Sequence, residues 1–130
     1  MYDVDEQALH TAVELELRLL GVPVRASARL VGELLDVNYF EFDTSGLRRD
    51  RPAALAAHRA ARVPDGSVSV ADMGATLLAP GLVQVTYCSR DTSGSAWRSS
   101  LWRRTTVGWQ RLFHQSTVIG DCRSPARRMP

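Results

Sequence analysis

The chain has no lysine; all sixteen of its Lys/Arg positions are arginine. A Schiff-base lysine and a phosphate-loop lysine are therefore impossible. This excludes class I aldolase, pyridoxal phosphate and Walker-type nucleotide chemistry on residue type alone. Cysteine is nearly absent. Cys88 falls in a strand-like run and Cys122 near the end, and one pair supplies neither a disulfide framework nor metal-ligand spacing, so both are expected to be reduced thiols. The three histidines, His10, His58 and His114, show no His-x-His or His-Glu-x-x-His spacing, so no metal site and no cofactor is expected. No glycine-rich phosphate loop occurs, since Ser93-Gly94-Ser95 reads as a hairpin turn. Long apolar runs are also missing: none approaches the ~20 residues that cross a bilayer. The acidic opening Met1-Tyr2-Asp3-Val4-Asp5-Glu6 is unlike a secretory leader, and a cytoplasmic location without a membrane partner is expected.

What is present is enough for one core. At 130 residues and 45% hydrophobic composition the chain fits a single domain. Its net charge of +2 comes from the end, where Arg123, Arg127 and Arg128 face Asp121 alone. Residues 1–120 hold thirteen arginines and thirteen acids, a neutral body that argues against a nucleic-acid partner. The expected organisation is a domain over 1–120 and a basic, flexible tail over 121–130.

Asp3, Asp5 and Glu6 provide first-turn acids, Leu9, Val13, Leu17 and Leu20 recur at helical spacing, and Gly21 then Pro23 stop the run, predicting a helix over about 5–20. Ser27 is a cap for a second helix with the stripe Ala28, Val31, Leu34 and Leu35, ending near Asp36. A third, Ala-rich helix is predicted over about 50–60, with Pro52 in its first turn. Val37 to Asp43 reads as a short aromatic strand closed by Thr44-Ser45-Gly46. After Pro64-Asp65-Gly66 the pattern becomes β, with strands from Val68 toward Leu78, Leu82 to Ser89, Ala96 to Thr106 and Trp109 to Val118. Helices followed by a meander of long hairpins define an α+β plan.

Several runs carry a resemblance. Leu34-Leu35-Asp36-Val37-Asn38-Tyr39-Phe40-Glu41-Phe42-Asp43-Thr44-Ser45-Gly46, Leu78-Ala79-Pro80-Gly81-Leu82-Val83-Gln84-Val85-Thr86-Tyr87, Arg98-Ser99-Ser100-Leu101-Trp102-Arg103-Arg104 and Gly108-Trp109-Gln110-Arg111-Leu112-Phe113-His114-Gln115-Ser116-Thr117 are similar to a largely uncharacterised bacterial branch of the nuclear transport factor 2-like (SnoaL/ketosteroid isomerase-like) superfamily. The likeness spans about residues 8–118. It implies a cone of three N-terminal helices packed on a strongly curved, mixed but mostly antiparallel sheet, a pocket between them, and a homodimer formed through the outer sheet face. The superfamily includes isomerases, cyclases, dehydratases and assembly domains, so fold alone carries little function.

Within that frame Glu41, flanked by Phe40 and Phe42, and His114, beside Phe113, sit in strands expected to be buried, where ionisable groups need partners. They read either as an acid/base catalytic couple or as a structural hydrogen bond joining the first strand to the last. Arg98, Ser100 and Trp102 share one face of their strand, and on the pocket side they would bind substrate, Arg98 gripping a carboxylate or carbonyl oxygen. The resemblance to isomerase sites adds Tyr39 and Tyr87 as phenol donors to a carbonyl oxygen. The resulting expectation is a cofactor-independent small-molecule enzyme of isomerase, cyclase or dehydratase type in bacterial secondary metabolism, the setting suggested by the Lys-free, Arg- and Ala-rich composition. The alternative is a non-catalytic ligand-binding or assembly module.

Overall fold

The computed structural model describes residues 3–25, 27–60 and 68–122. Helix α1 runs Val4–Leu20. Asp3 Oδ1 accepts from the Glu6 backbone N–H at 2.7 Å and caps the helix start, satisfying a donor that the helix itself cannot. Its buried stripe is Ala12, Glu16 and Leu19, an acid set between two apolar residues. A single turn, α2 (Val22–Arg25), follows where the sequence pattern predicts only a stop. Helix α3 (Ala28–Leu34) is capped as expected by Ser27, whose Oγ accepts from Leu30 N–H, but it ends one residue before Leu35, which opens strand β1 (Leu35–Phe42).

A three-residue strand β2 (Arg48–Asp50), not anticipated from the sequence, pairs antiparallel with β1 and leads into helix α4 (Arg51–Ala60). The helices therefore do not all precede the sheet, as the resemblance implied: α4 comes after two strands. Arg51 at its start reaches back to the end of α3, donating to Gly32 O at 2.8 Å, which also accepts from the Leu35 backbone N–H, and to Leu35 O at 3.3 Å.

Strands β3 (Ser69–Ala79), β4 (Leu82–Asp91), β5 (Gly94–Thr105) and β6 (Gly108–Ile119) form the predicted meander. The six strands lie in the order β2-β1-β6-β5-β4-β3, and only β1 and β6 run parallel. On the inner face Val83, Val85, Tyr87 and Trp102 are fully buried and pack with Ala12 and Leu19 of α1, Val31 of α3, and Ala54 and Leu55 of α4. This resolves the parity of β5 that the sequence leaves open: Arg98, Ser100 and Trp102 face inward.

The cysteines correct the expectation of reduced thiols. Cys88 and Cys122 form a disulfide with Cα atoms 5.6 Å apart. Cys88 lies on the opposite parity from Tyr87, on the outer sheet face, and is nevertheless fully buried; the bond fixes Cys122 to β4. Residues 123–130, most of the expected tail, lie outside the described residues. Among the described residues, no helix is long and apolar enough to cross a membrane.

Candidate functional site

Three rungs of the inner sheet face build the site. Tyr87, Arg98 and Ser116 are register partners across β4, β5 and β6; Val85, Ser100 and His114 form the next rung; Val83, Trp102 and Arg111 form the third. Strict alternation from His114 would send Arg111 to the outer face. The register of β5 against β6 shifts between Leu101 and Trp102, so Leu112 is an extra residue, and this bulge turns Arg111 inward beside His114. The middle rung continues into β1 and β2, where Glu41 is the partner of both His114 and Arg49.

Beneath these rungs lies Glu16, fully buried on α1. One of its carboxylate oxygens accepts from Tyr87 Oη at 2.6 Å and from Arg111 Nη1 at 3.0 Å; the other accepts from Trp102 Nε1 at 2.8 Å. Burial alone raises its pKa, but the Arg111 charge and these hydrogen bonds overcome that effect and hold it down at about 2. Glu16 is thus a carboxylate at neutral pH, and the same bonds keep Tyr87 protonated as a donor, its pKa raised by burial and by Glu16.

His114 is held on both ring nitrogens. Ser100 Oγ and Nδ1 share a 2.6 Å hydrogen bond; Nε2 stands 3.3 Å from Ser116 Oγ and 3.4 Å from Arg98 Nη1. Burial and the adjacent Arg111 and Arg98 charges push its pKa well below 6.5 despite Glu16 at 3.9 Å, so the ring is neutral at physiological pH.

Glu41 and His114 are brought side by side, but among the described residues no hydrogen bond joins them. Glu41 accepts instead from Tyr39 Oη at 2.7 Å and from Arg49 Nη1 at 3.5 Å. Tyr39 is buried, and its hydroxyl also accepts from Arg111 Nη2 at 3.4 Å. The phenols of Tyr39 and Tyr87 are therefore both engaged by carboxylates of the protein.

A cleft of about 290 Å³ opens above this network. Of the residues singled out in the sequence, Glu41, His114, Tyr87 and Arg98 line it, whereas Ser100, Trp102 and Tyr39 do not; they support its floor. Sequence reasoning missed Arg111 and Ser116, which line the cleft, and Glu16 beneath it, and passed over His58, which also lines it. Arg98 is fixed by Nε donating to Ser89 Oγ at 2.7 Å and Nη1 to Ser116 Oγ at 3.0 Å; its Nη2 has no hydrogen-bond partner among the described residues. Among the described residues two buried polar atoms also lack a partner, Arg111 Nε and His58 Nε2, and both residues line this cleft. Among the described residues no cluster of His, Cys, Asp or Glu is arranged to hold a metal.

No family model matches the chain, and no curated protein matches it by sequence. Solved structures match its fold. An NTF2-like protein from Cytophaga hutchinsonii superposes with a TM-score of 0.72 at 13% identity, over 91% of this chain and 100% of the other. A putative Ca/calmodulin-dependent kinase II association domain from Exiguobacterium sibiricum gives 0.71 at 18% identity, over 92% and 96%. The CaMKII hub homology domain of Chlamydomonas reinhardtii gives 0.70 at 11% identity, over 86% and 98%. The chain has the nuclear transport factor 2-like fold, as its sequence runs suggested.

Proposed function

We propose that this chain is a ligand-binding domain that receives a small molecule in the cleft above Glu16, Arg111 and His114 and does not transform it. One observation carries the reading: Arg111 and His58, whose Nε and Nε2 atoms are buried without a partner among the described residues, line the same cleft. An unpaired buried polar group costs on the order of 1–3 kcal/mol, which a bound molecule recovers. The groups that would do acid/base work are already committed. Glu16 is pinned as a carboxylate by three donors, and His114 is bonded at both nitrogens.

Screening a metabolite library by thermal shift against the wild type and Arg98→Gln tests this. Hits are expected to lose most of their shift in the variant and to be recovered chemically unchanged after prolonged incubation. The second reading, an acid/base isomerase, cyclase or dehydratase of bacterial secondary metabolism using Glu41 and His114, is favoured by their adjacency in the same rung. Conversion of a hit, lost in Glu41→Gln and His114→Ala, would replace the first reading with this one.

Association is proposed as part of the function. The outer sheet face carries Phe40, Phe42 and Phe113, with Phe40 and Phe113 ring centroids 4.9 Å apart, and Trp97 stands exposed on it. A second copy of the chain is the proposed cover for this face. Light scattering at tens of micromolar is expected to give twice the chain mass, the range where a standard-size interface is occupied; a monomer there contradicts it. The buried disulfide supports an oxidising compartment over the cytoplasm expected from the sequence, because such bonds persist where thiols are not kept reduced.

A further inference from the structure

The ligand class follows from which hydrogen-bonding groups the cleft has left over, and the argument rests on the binding-domain reading above. Every acid at the cleft is already engaged inside the protein. Glu16 accepts from Tyr87, Trp102 and Arg111; Glu41 from Tyr39 and Arg49; Asp43 from Ser45, Leu47 and Arg49; Asp91 from Ser93. The donors are in surplus. Arg98 Nη2 and Arg111 Nε have no partner among the described residues, and Arg25 makes a single 3.5 Å bond to Leu20 O and no ion pair. His58 Nε2, also unpartnered and buried, supplies either role.

A cleft with spare donors and satisfied acceptors calls for a molecule that accepts. Guanidinium groups, always charged and presenting several N–H groups in one plane, favour a planar anion. The remaining walls, Leu19, Leu20, Val31 and Val68, are apolar, which fits an organic body rather than a bare inorganic ion. The volume of about 290 Å³ limits that body to a small one. We infer that the ligand is a small organic carboxylate, its anionic end received by Arg98 and Arg111 with His58 beside them and its body lying on the apolar wall.

Calorimetric titration of the full chain at constant ionic strength tests this with two matched pairs of probes, butyrate against butyramide and benzoate against benzamide, and with inorganic phosphate as a third arm. Each carboxylate is expected to bind at least ~10-fold more tightly than its amide, because a charge-assisted hydrogen bond is about twice as strong as a neutral one. Arg98→Gln is expected to erase that preference, and His58→Gln to weaken carboxylate binding with the melting temperature retained. Amides that bind as well as the acids, or phosphate that binds better than both, overturn the carboxylate assignment and leave the binding-domain reading intact. Absence of binding by every probe overturns the assignment and counts equally against that reading.

Discussion

Replacing Glu16 by Ala is expected to lower the unfolding free energy by about 3–5 kcal/mol, the usual cost of leaving a buried charge without its counter-ion. The charge is Arg111, whose Nη1 meets Glu16 at 3.0 Å and whose side chain is 13% exposed. The same substitution strips the hydroxyl of Tyr87 and the indole of Trp102 of their acceptor, and both side chains are fully buried. Glu16→Gln keeps an acceptor and is expected to cost less than Ala. Urea titrations of the three proteins measure the difference; a loss below about 1 kcal/mol for Ala, the range of exposed ion pairs, would show that the network is solvated instead of buried.

The same carboxylate sets the acid limit of the fold. Glu16 binds its proton more weakly in the folded chain, at about 2, than at its ordinary value of 4.5, so its stabilisation is complete above pH 4.5 and is lost as the pH falls toward 2. The 2.5-unit interval corresponds to roughly 3 kcal/mol. His114 acts earlier. Its folded pKa lies well below 6.5, so the unfolded chain takes up the proton first and stability declines as the pH falls below 6.5. Glu16→Gln is expected to flatten the stability curve below pH 4.5, and His114→Gln the portion just below 6.5.

Reduction of the Cys88–Cys122 disulfide is expected to cost roughly 3–4 kcal/mol, the chain-entropy value for a bond closing a separation of 34 residues. Urea midpoints with and without reductant measure it, and Cys122→Ala is expected to match the reduced wild type. In protein taken from its native cells, both cysteines are expected to resist alkylation until a reductant is added. Immediate labelling of both would place the chain in a reducing compartment and restore the cytoplasmic expectation.

These large effects fall on residues that the sequence exposed unevenly. Element order was readable because helix stripes, caps and turn residues act locally: Asp3 and Ser27 cap where expected, and Gly81 adopts a φ of +75° in the predicted Pro80-Gly81 turn. The inward face of Tyr87, Arg98 and Ser100 followed once one strand's apolar parity was known. Glu16 left a trace that helical spacing contains, an acid between Ala12 and Leu19 on a buried stripe, and His58 follows Ala54 and Leu55 on α4 in the same way.

Arg111 could not be placed by alternation, because the bulge at Leu112 reverses parity and depends on the pairing with β5 rather than on any residue near it in the chain. The disulfide is equally non-local, since it requires the segment after β6 to return across the outer face to β4. Strand β2 is three residues of arginine and aspartate with no β-forming pattern, and exists through its pairing with Phe40, Glu41 and Phe42.

The central claim is that the cleft framed by Arg98, Arg111 and His114 takes a small molecule. A titration of the isotopically labelled chain with benzoate, followed by backbone and arginine side-chain amide resonances, tests it most directly. The expected result is saturable shifts concentrated at Arg98, Arg111, His114 and Ser116, with Trp97 and Thr117 on the outer face unchanged. Shifts confined to the outer face, or none that saturate, would contradict it.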